Sequence, residues 1–217
     1  MRPVRIITHS KFVIDRALPL GWVAGARYTN LRDVKHLPDV HFVDIDWKNY
    51  DFDRHLSAVR LIRPALTVAR DVECLNEIDS ILYEAEKLNR YCGRVIIVPK
   101  DRRLEEFDRL GVPLTFRLGY SVPTRYGGTA ICPTKFTGDE HLLGGRPDVQ
   151  RHLAASMRVA SLDGNRFTLD AKIGDYFDGV RFREHPVGGY GNCLDASLKN
   201  IARLWEDYHG EGSQRQS

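Results

Sequence analysis

The sequence predicts an α/β fold, a (β/α)8 barrel of the TIM type that is reduced or irregular in places. Three observations support this prediction. At least six short apolar segments of strand type alternate with amphipathic segments, at the spacing of roughly 20 to 30 residues that repeated βα units require. The stretch from His141 to Asn165 is a complete β-α-β unit, and the phosphate-binding motifs GxGxxG and GxxxxGK[ST] are missing. A doubly wound open sheet would give the same alternation, but the barrel is preferred.

Short runs of branched and apolar residues mark the strands. Each run is bounded by turn residues or by charges, as expected for strands that are buried in a parallel sheet. The predicted strands are Val4–Thr8, Val40–Asp46, Ala65–Ala69, Arg94–Val98, Leu114–Gly119, the apolar run from His141 that ends at Gly144 and Gly145, Val159–Leu162 and a short strand at Val180–Phe182.

Apolar residues recurring at three and four positions mark the helices between these strands. The segment Leu75–Leu88 has the clearest pattern, and Pro64 and Gly111 end two of the others. The predicted helices are Phe52–Ile62, Leu75–Leu88, Arg103–Leu110, Pro147–Met157, Ala171–Phe177 and Leu194–Tyr208.

Two segments lack a clear period. Residues 11–38 contain Pro19, Gly21, Gly25 and Pro38, so loops with short elements are expected there. Residues 129–140 are read as a connector. The whole of 1–209 is expected to form a single α/β barrel domain, followed by a polar C-terminal tail at 210–217.

Composition restricts the classes of partner. The chain has 32 Lys and Arg against 29 Asp and Glu, a formal charge of +3, which permits an anionic partner without requiring one. No apolar run is long enough for a membrane span and no secretory signal is evident. The four cysteines are spread along the chain without a CxxC pair. A cytoplasmic protein with reduced thiols, no membrane partner and no metal site is expected.

The chemistry of a βα barrel lies at the C-terminal ends of its strands. Three predicted strands end in carboxylates, and the others deliver glycine, hydroxyl or cationic residues to the same rim. These ends are Asp44 with Asp46, Arg70 with Asp71, Pro99 with Lys100, Gly119–Ser121, Gly144 with Gly145, and Asp163 with Asn165.

Each of these residues also has an ordinary structural explanation. Aspartate is common at helix caps and turns, and Asp163-Gly164 is a frequent turn pair. Glycines at positions 144 and 145 provide flexibility, or allow a planar ligand to approach the backbone closely. His141 is expected to be structural, at the start of its strand and away from the rim. The functional interpretation depends on three carboxylates converging on one rim.

The ordered set of motifs resembles the tRNA-guanine transglycosylase superfamily, whose members exchange bases on a (β/α)8 barrel. His141-Leu-Leu-Gly144 with Arg146-Pro147 resembles the family segment HLLG-x-G-RP, and Leu162-Asp163 resembles the strand end that carries the nucleophilic aspartate. Phe42-Val-Asp44 and Val68-Ala-Arg-Asp71 resemble two upstream strand ends. Two further substrate-contacting strand ends correspond to Val95–Val98 and Leu118–Ser121, so the resemblance covers about residues 40–165.

The sequence departs from the family in two respects. The glycine-rich DSGG turn is replaced by Asp44-Ile-Asp-Trp47, and the Cys/His zinc-binding insertion of the tRNA enzymes is missing. These departures favour a minimal member that resembles the phage enzymes inserting 7-deazaguanines into DNA. Nucleic acid, with DNA more probable than tRNA, and a free 7-deazaguanine base are the implied partners.

The resemblance implies roles for individual residues. Asp163 would be the nucleophile at C1′, and Asp44, or alternatively Asp46, would transfer protons to and from the bases. Asp71 would bind the donor edge of a guanine-like base, and Tyr120 or Trp47 would stack on it. The remaining substrate-binding candidates are Lys100, Ser121, Gly144, Gly145 and Asn165. Lys100, Arg125, Arg146 and Arg166 would contact phosphates near the rim.

Two other functions fit the same residues. A metal-dependent nuclease or phosphodiesterase would hold Mg²⁺ with Asp44, Asp46, Asp71 and Asp163. A barrel that binds nucleic acid without catalysis would instead assist a catalytic partner. The transglycosylase needs no cofactor, and the oligomeric state stays open.

Overall fold

Eight parallel strands close into one barrel in a computed structural model that describes residues 2–125 and 127–210. Every strand pairs with its neighbour in chain order, and the first pairs with the eighth. The strands are β1 (Val4–Thr8), β2 (Val23–Arg27), β3 (Phe42–Asp44), β4 (Leu66–Val68), β5 (Arg94–Ile97), β6 (Arg117–Ser121), β7 (Glu140–Leu143) and β8 (Val159–Asp163). The prediction of a (β/α)8 TIM-type barrel is confirmed.

The helical layer outside the strands is incomplete. Its α-helices are α1 (Lys11–Ala17), α2 (Phe52–Ile62), α3 (Ile78–Asn89), α4 (Pro147–Leu153), α5 (Arg166–Ala171) and α6 (Tyr190–Leu204). Within the described residues, the connections from β2 to β3, β5 to β6 and β6 to β7 contain only short 3-10 helices. The helical layer of the barrel is therefore reduced at these three connections, although a helix was predicted for the one between β5 and β6.

A small hairpin follows the barrel. Strands β9 (Asp175–Phe177) and β10 (Phe182–Glu184) pair antiparallel, and α6 packs against β9. The predicted helix at Ala171–Phe177 is wrong, because α5 ends at Ala171 and the chain then becomes extended to pair with β10. The predicted polar tail lies outside the described residues from position 211 onward.

The most instructive error of prediction is β2, which lies within the segment expected to be loops. Its sequence, Val-Ala-Gly-Ala-Arg, consists mostly of small residues. A larger residue does not fit at position 25, because a β-carbon on Gly25 would lie 2.4 Å from Thr8 Oγ1 and 3.2 Å from the Phe42 ring. Gly119 is enclosed in the same way by Ile96 and Leu143. Side chains from neighbouring strands fill the barrel interior at these two positions, so the strands there carry glycine.

Further predicted helices differ as well, and α4 ends at Leu153 and not at the predicted Met157. The segment expected to be helical at Arg103–Leu110 forms two 3-10 helices, Arg102–Glu106 and Asp108–Gly111. Arg109 and Leu110 have positive φ angles of 48° and 56°, which an α-helix does not allow. The last helix begins earlier than predicted, at Tyr190, and ends at Leu204.

A buried histidine joins α2 to the outside of the barrel wall. His55 is fully buried, with Nε2 2.8 Å from Thr67 Oγ1 and Nδ1 3.2 Å from the Tyr50 hydroxyl. Thr67 donates its own proton to the Val43 carbonyl at 2.7 Å. The threonine oxygen must therefore accept from Nε2–H, and Tyr50 donates to Nδ1. Burial lowers the pKa of His55 to about 4, so the ring is neutral near pH 7.

We expect His55→Phe to lower the free energy of unfolding by about 1–3 kcal/mol, because the Tyr50 hydroxyl loses its acceptor inside the protein. Urea denaturation at pH 7.5 measures the change. His152→Phe, at an exposed position of α4, is the control and should change stability by no more than about 0.5 kcal/mol. Equal effects of the two substitutions would contradict this assignment.

Candidate active site

The C-terminal ends of the strands enclose a cavity of about 420 Å³. Side chains that the barrel places on its wall include Asp44 from β3, Asp163 from β8, and Asp71 and Lys100 from just beyond β4 and β5. The three carboxylates that the sequence analysis assigned to one rim therefore line a single cavity. A volume of this order suits a small ligand such as one nucleobase with its sugar.

Asp163 is held on the wall by the neighbouring strand. Its Oδ1 accepts a hydrogen bond from the Gly144 backbone N–H at 2.8 Å. The Nε2 atom of His141 lies 3.7 Å from the same oxygen. The side chain is about 15% exposed, and its exposed part faces the cavity. One oxygen, Oδ1, is thus held by a backbone N–H of the protein, and the side chain lines the cavity.

His141 is a correction to the sequence analysis. It was expected to lie away from the rim, yet its ring is fully buried inside the barrel beside Asp163. The reason is the shortness of β7, which has only four residues. A histidine at its second position is therefore still close to the rim.

A glutamine joins the ends of β7 and β8. The Gln150 amide donates to the carbonyl oxygens of both Gly144, at 2.7 Å, and Asp163, at 2.6 Å. The side chain comes from α4 and is almost completely buried. Because both carbonyls belong to the strand ends that meet at the nucleophile candidate, Gln150 fixes their relative position.

Asp44 faces the same cavity from β3 in a different electrostatic setting. Burial and the nearby charge of Asp163 raise its pKa to about 7. The Ile45 N–H bond at 2.8 Å and Arg27, with Nε 3.9 Å from Oδ2, oppose this rise only in part. Asp44 is thus able to hold a proton near neutral pH and to release it, which is what an acid–base group requires.

Asp71 and Lys100 form an ion pair on the cavity wall. Lys100 Nζ lies 2.6 Å from Asp71 Oδ2 and 2.9 Å from Glu73 Oε1. Burial raises the pKa of Asp71 although Lys100 opposes the rise. Burial alone would lower the pKa of Lys100, but the two carboxylates outweigh it and the pKa is raised. The pair presents hydrogen-bond acceptor and donor groups side by side.

The other predicted site residues divide into two groups. Ser121, Gly144, Gly145 and Asn165 line the cavity. Asp46 and Tyr120 are not among its lining residues.

Both residues of the second group have structural contacts elsewhere. The Asp46 carboxylate accepts the Lys48 N–H at 3.2 Å within a turn. The Tyr120 ring is buried edge-on against Phe136, with ring centroids 5.0 Å apart. Of the two aromatic residues considered for stacking, Trp47 lies at the cavity and is 62% exposed.

Gly144 and Gly145 line the cavity and also have structural roles. Gly144 has φ 64° and donates its N–H to Asp163, so this group is already occupied. Gly145 has φ 83°, and a β-carbon there would lie 2.3 Å from Val122 Cγ1. Close packing against Val122, another lining residue, is therefore the clearest reason for glycine at position 145.

Among the four cations expected near phosphates, only Lys100 lines the cavity. Arg146 pairs with Asp148 and Arg166 with Asp170, at 3.0 and 2.7 Å. Arg125 lies exposed in the loop after β6. Arg27 also lies on the cavity wall but was not predicted there, because β2 was not recognised. It also missed Gln150, whose position in an amphipathic helix gives no signal of its role.

The carboxylates of the cavity wall are not clustered in the way that a site with three metal-ligating side chains requires. No three His, Cys, Asp or Glu side chains within residues 2–125 and 127–210 are grouped so that they could hold a metal ion. Asp71 is instead neutralised by Lys100, and Asp44 retains a proton up to about pH 7.

In residues 2–125 and 127–210, no helix has the length and apolar character needed to cross a membrane.

A family model described as a family of unknown function (DUF6610) matches residues 17–206. This range includes the C-terminal ends of seven of the eight barrel strands, β2 to β8. Among curated proteins none matches.

We expect Asp44→Asn to stabilise the protein more at pH 8 than at pH 5. An aspartate in an unfolded chain titrates near 3.9, so the native state binds the extra proton between that value and about 7. Stability from Asp44 is complete below pH 4 and is lost as the pH rises through 7. The asparagine variant avoids this loss, so its advantage should grow by roughly 2–3 kcal/mol between pH 5 and pH 8.

Urea denaturation at both pH values measures this difference. Asp46→Asn is the matched control, because that carboxylate lies in the adjacent turn and not on the cavity wall. The free energy of unfolding of Asp46→Asn should equal that of the wild-type protein at both pH values. A stability difference for Asp44→Asn that does not vary with pH would be evidence against a proton on Asp44.

We expect Gly145→Ala to destabilise the protein by about 1–3 kcal/mol more than Gly144→Ala. Both residues have positive φ, but only at position 145 does the new methyl group meet Val122, since nothing lies within 4 Å at position 144. Denaturation of both variants and of the double variant Gly145→Ala, Val122→Ala tests the explanation. The double variant should recover part of the loss, and no recovery would show that the contact is not the cause.

Proposed function

Because the chain belongs to a family of unknown function (DUF6610), its activity must be inferred from its own cavity, and we propose that it is a base-exchange transglycosylase. It replaces guanine in nucleic acid, preferentially DNA, by a free 7-deazaguanine. The observation that carries the proposal is the pair of carboxyl groups on one cavity wall. Asp163 is fixed by a backbone N–H, and Asp44 has a pKa of about 7.

The first half of the reaction removes guanine. Asp163 attacks C1′ of the nucleotide through a carboxylate oxygen as the bond between C1′ and N9 breaks, and the electron pair of that bond leaves with the base. Asp44 supplies the proton that the departing base accepts. An ester between Asp163 and the sugar results, and the polynucleotide chain stays intact.

The second half reverses these steps with a different base. The free 7-deazaguanine loses its N9 proton to Asp44 and attacks C1′, which releases Asp163 as a carboxylate. The two steps together leave Asp44 protonated and Asp163 ionised, as they were at the start. A group with a pKa of about 7 is suited to both transfers near neutral pH.

The ion pair and the cavity mouth support recognition of a guanine-like base. Guanine and its 7-deaza analogues present donors at N1 and at the 2-amino group, next to an acceptor at O6. Asp71 accepts from such donors and Lys100 donates to such an acceptor, and the two side chains are already in contact. Trp47 at the cavity supplies a surface on which an extruded base can stack.

The metal-dependent alternative has less support from the same contacts. A Mg²⁺ site needs ionised oxygen ligands that are free to converge on one point. Here Lys100 already occupies Asp71, Asp44 favours the protonated form below about pH 7, and Asp46 is used in a turn. The zinc-binding insertion of the tRNA enzymes is also missing from the sequence, which favours DNA as the substrate.

We expect Asp163→Asn to lower the rate of base exchange by on the order of 10³-fold or more, because the amide cannot form the ester. Purified protein is incubated with guanine-containing DNA or RNA, a free 7-deazaguanine base and EDTA. Nucleoside mass spectrometry then measures incorporation. Denaturing electrophoresis detects the covalent adduct between protein and oligonucleotide, which should form with wild type and not with the variant.

Asp148→Asn is the matched control, since this aspartate pairs with Arg146 and does not line the cavity. It should retain activity close to that of wild type. Strand cleavage that EDTA prevents would support the nuclease instead. Nucleic-acid binding with exchange unchanged in Asp163→Asn would remove Asp163 from the mechanism.

A further inference from the structure

A row of polar side chains crosses the barrel interior directly beneath Asp163. Arg117 from β6 donates through Nη1 to Ser161 Oγ on β8 at 3.0 Å. Ser161 Oγ lies 2.7 Å from Nδ1 of His141 on β7. Nε2 on the opposite side of that ring lies 3.7 Å from Asp163 Oδ1. Ser161 and His141 are both fully buried, so water does not compete for these contacts.

The row determines which ring nitrogen carries the proton. The guanidinium of Arg117 has no acceptor, so Ser161 must accept from it. In the described part of the chain, the only other hydrogen-bond partner of Ser161 Oγ is His141 Nδ1. The serine hydroxyl therefore donates to Nδ1, which leaves the ring proton on Nε2, the atom that faces Asp163.

The ring has no other target for that proton. Within residues 2–125 and 127–210, Nε2 has no hydrogen-bond partner although it is buried. Phe42 packs against the ring at a centroid distance of 5.6 Å and restricts its rotation. A movement of about 0.5–0.8 Å by the Asp163 carboxylate would bring the two atoms within ordinary hydrogen-bond distance.

We infer that His141 is a positioning residue, which donates through Nε2–H to Asp163 Oδ1 and so selects Oδ2 as the attacking oxygen. Gly144 N–H and His141 Nε2 both approach Oδ1, whereas no group of the described chain donates a hydrogen bond to Oδ2. With Oδ1 held from two sides, the carboxylate cannot rotate and Oδ2 faces the cavity. This inference rests on the proposed function only in treating Asp163 as a nucleophile.

Two substitutions separate this role from a merely structural one. Glutamine can present its side-chain N–H near the position of Nε2, whereas phenylalanine fills the space without a donor. We expect His141→Phe to lower kcat of base exchange by about 10- to 100-fold, with KM for the free base changed by less than about threefold. His141→Gln should recover most of kcat. His55→Phe, at an equally buried histidine that does not line the cavity, controls for lost stability.

A second readout does not depend on activity. Two-bond ¹H–¹⁵N NMR spectra of the wild-type protein should show His141 as the Nε2–H tautomer. Its Nε2 signal should move in Asp163→Asn and stay in place in Asp148→Asn. If exchange is never observed, the proposed function fails, and the NMR result alone decides whether His141 addresses Asp163.

Three outcomes would overturn the inference. One is an Nδ1–H tautomer of His141, and another is a His141 Nε2 signal whose position does not change in Asp163→Asn. The third is a kcat in His141→Phe that equals that of the His55→Phe control. If His141→Phe does not fold, the first two outcomes and His141→Gln still decide the matter.

Discussion

Hydrogen bonding between β1 and β8 closes the barrel, and the arrangement of the cavity depends on that closure. Ile6 pairs in register with Asp163, and Val4 with Ser161, so the first and the last strand of the barrel become neighbours. All eight strands are parallel and each delivers its C-terminal end to the same rim. Three aspartates separated along the sequence reach one cavity for this reason. An open sheet with the same local sequence would spread their strand ends along an edge.

The rim then imposes an electrostatic problem that the protein resolves locally. Three carboxylates in a small volume repel one another, and burial makes each charge more costly. Lys100 balances Asp71, a backbone N–H supports Asp163, and Asp44 responds by retaining its proton up to about pH 7. Different partners thus give chemically similar side chains different properties. This is the usual way in which paired carboxyl groups acquire different roles in catalysis.

Local sequence patterns were sufficient for the features that depend on local order. Apolar runs located seven of the barrel strands, and the rule that parallel strands present their C-terminal ends together identified Asp44, Asp71 and Asp163 as neighbours. The pattern failed at β2 because its residues are small. The need for small residues there arises from Thr8 and Phe42 on adjacent strands, which no local window contains. Gln150 was overlooked and His141 was placed away from the rim for a similar reason, since their importance lies in contacts with other strands.

The bridge made by Gln150 has a consequence for motion within the cavity. One amide group bonds to the carbonyls of Gly144 and Asp163 at once, so the ends of β7 and β8 fluctuate together as a single unit. The bond between Gly144 N–H and Asp163 is then preserved as the barrel mouth widens and narrows. Asp44 on β3 contacts Ile45 N–H and Arg27 and makes no hydrogen bond to Gln150, Gly144 or Asp163, so any motion of β3 relative to this unit would change the separation of the two carboxyl groups. A ligand that bridges them would damp that motion.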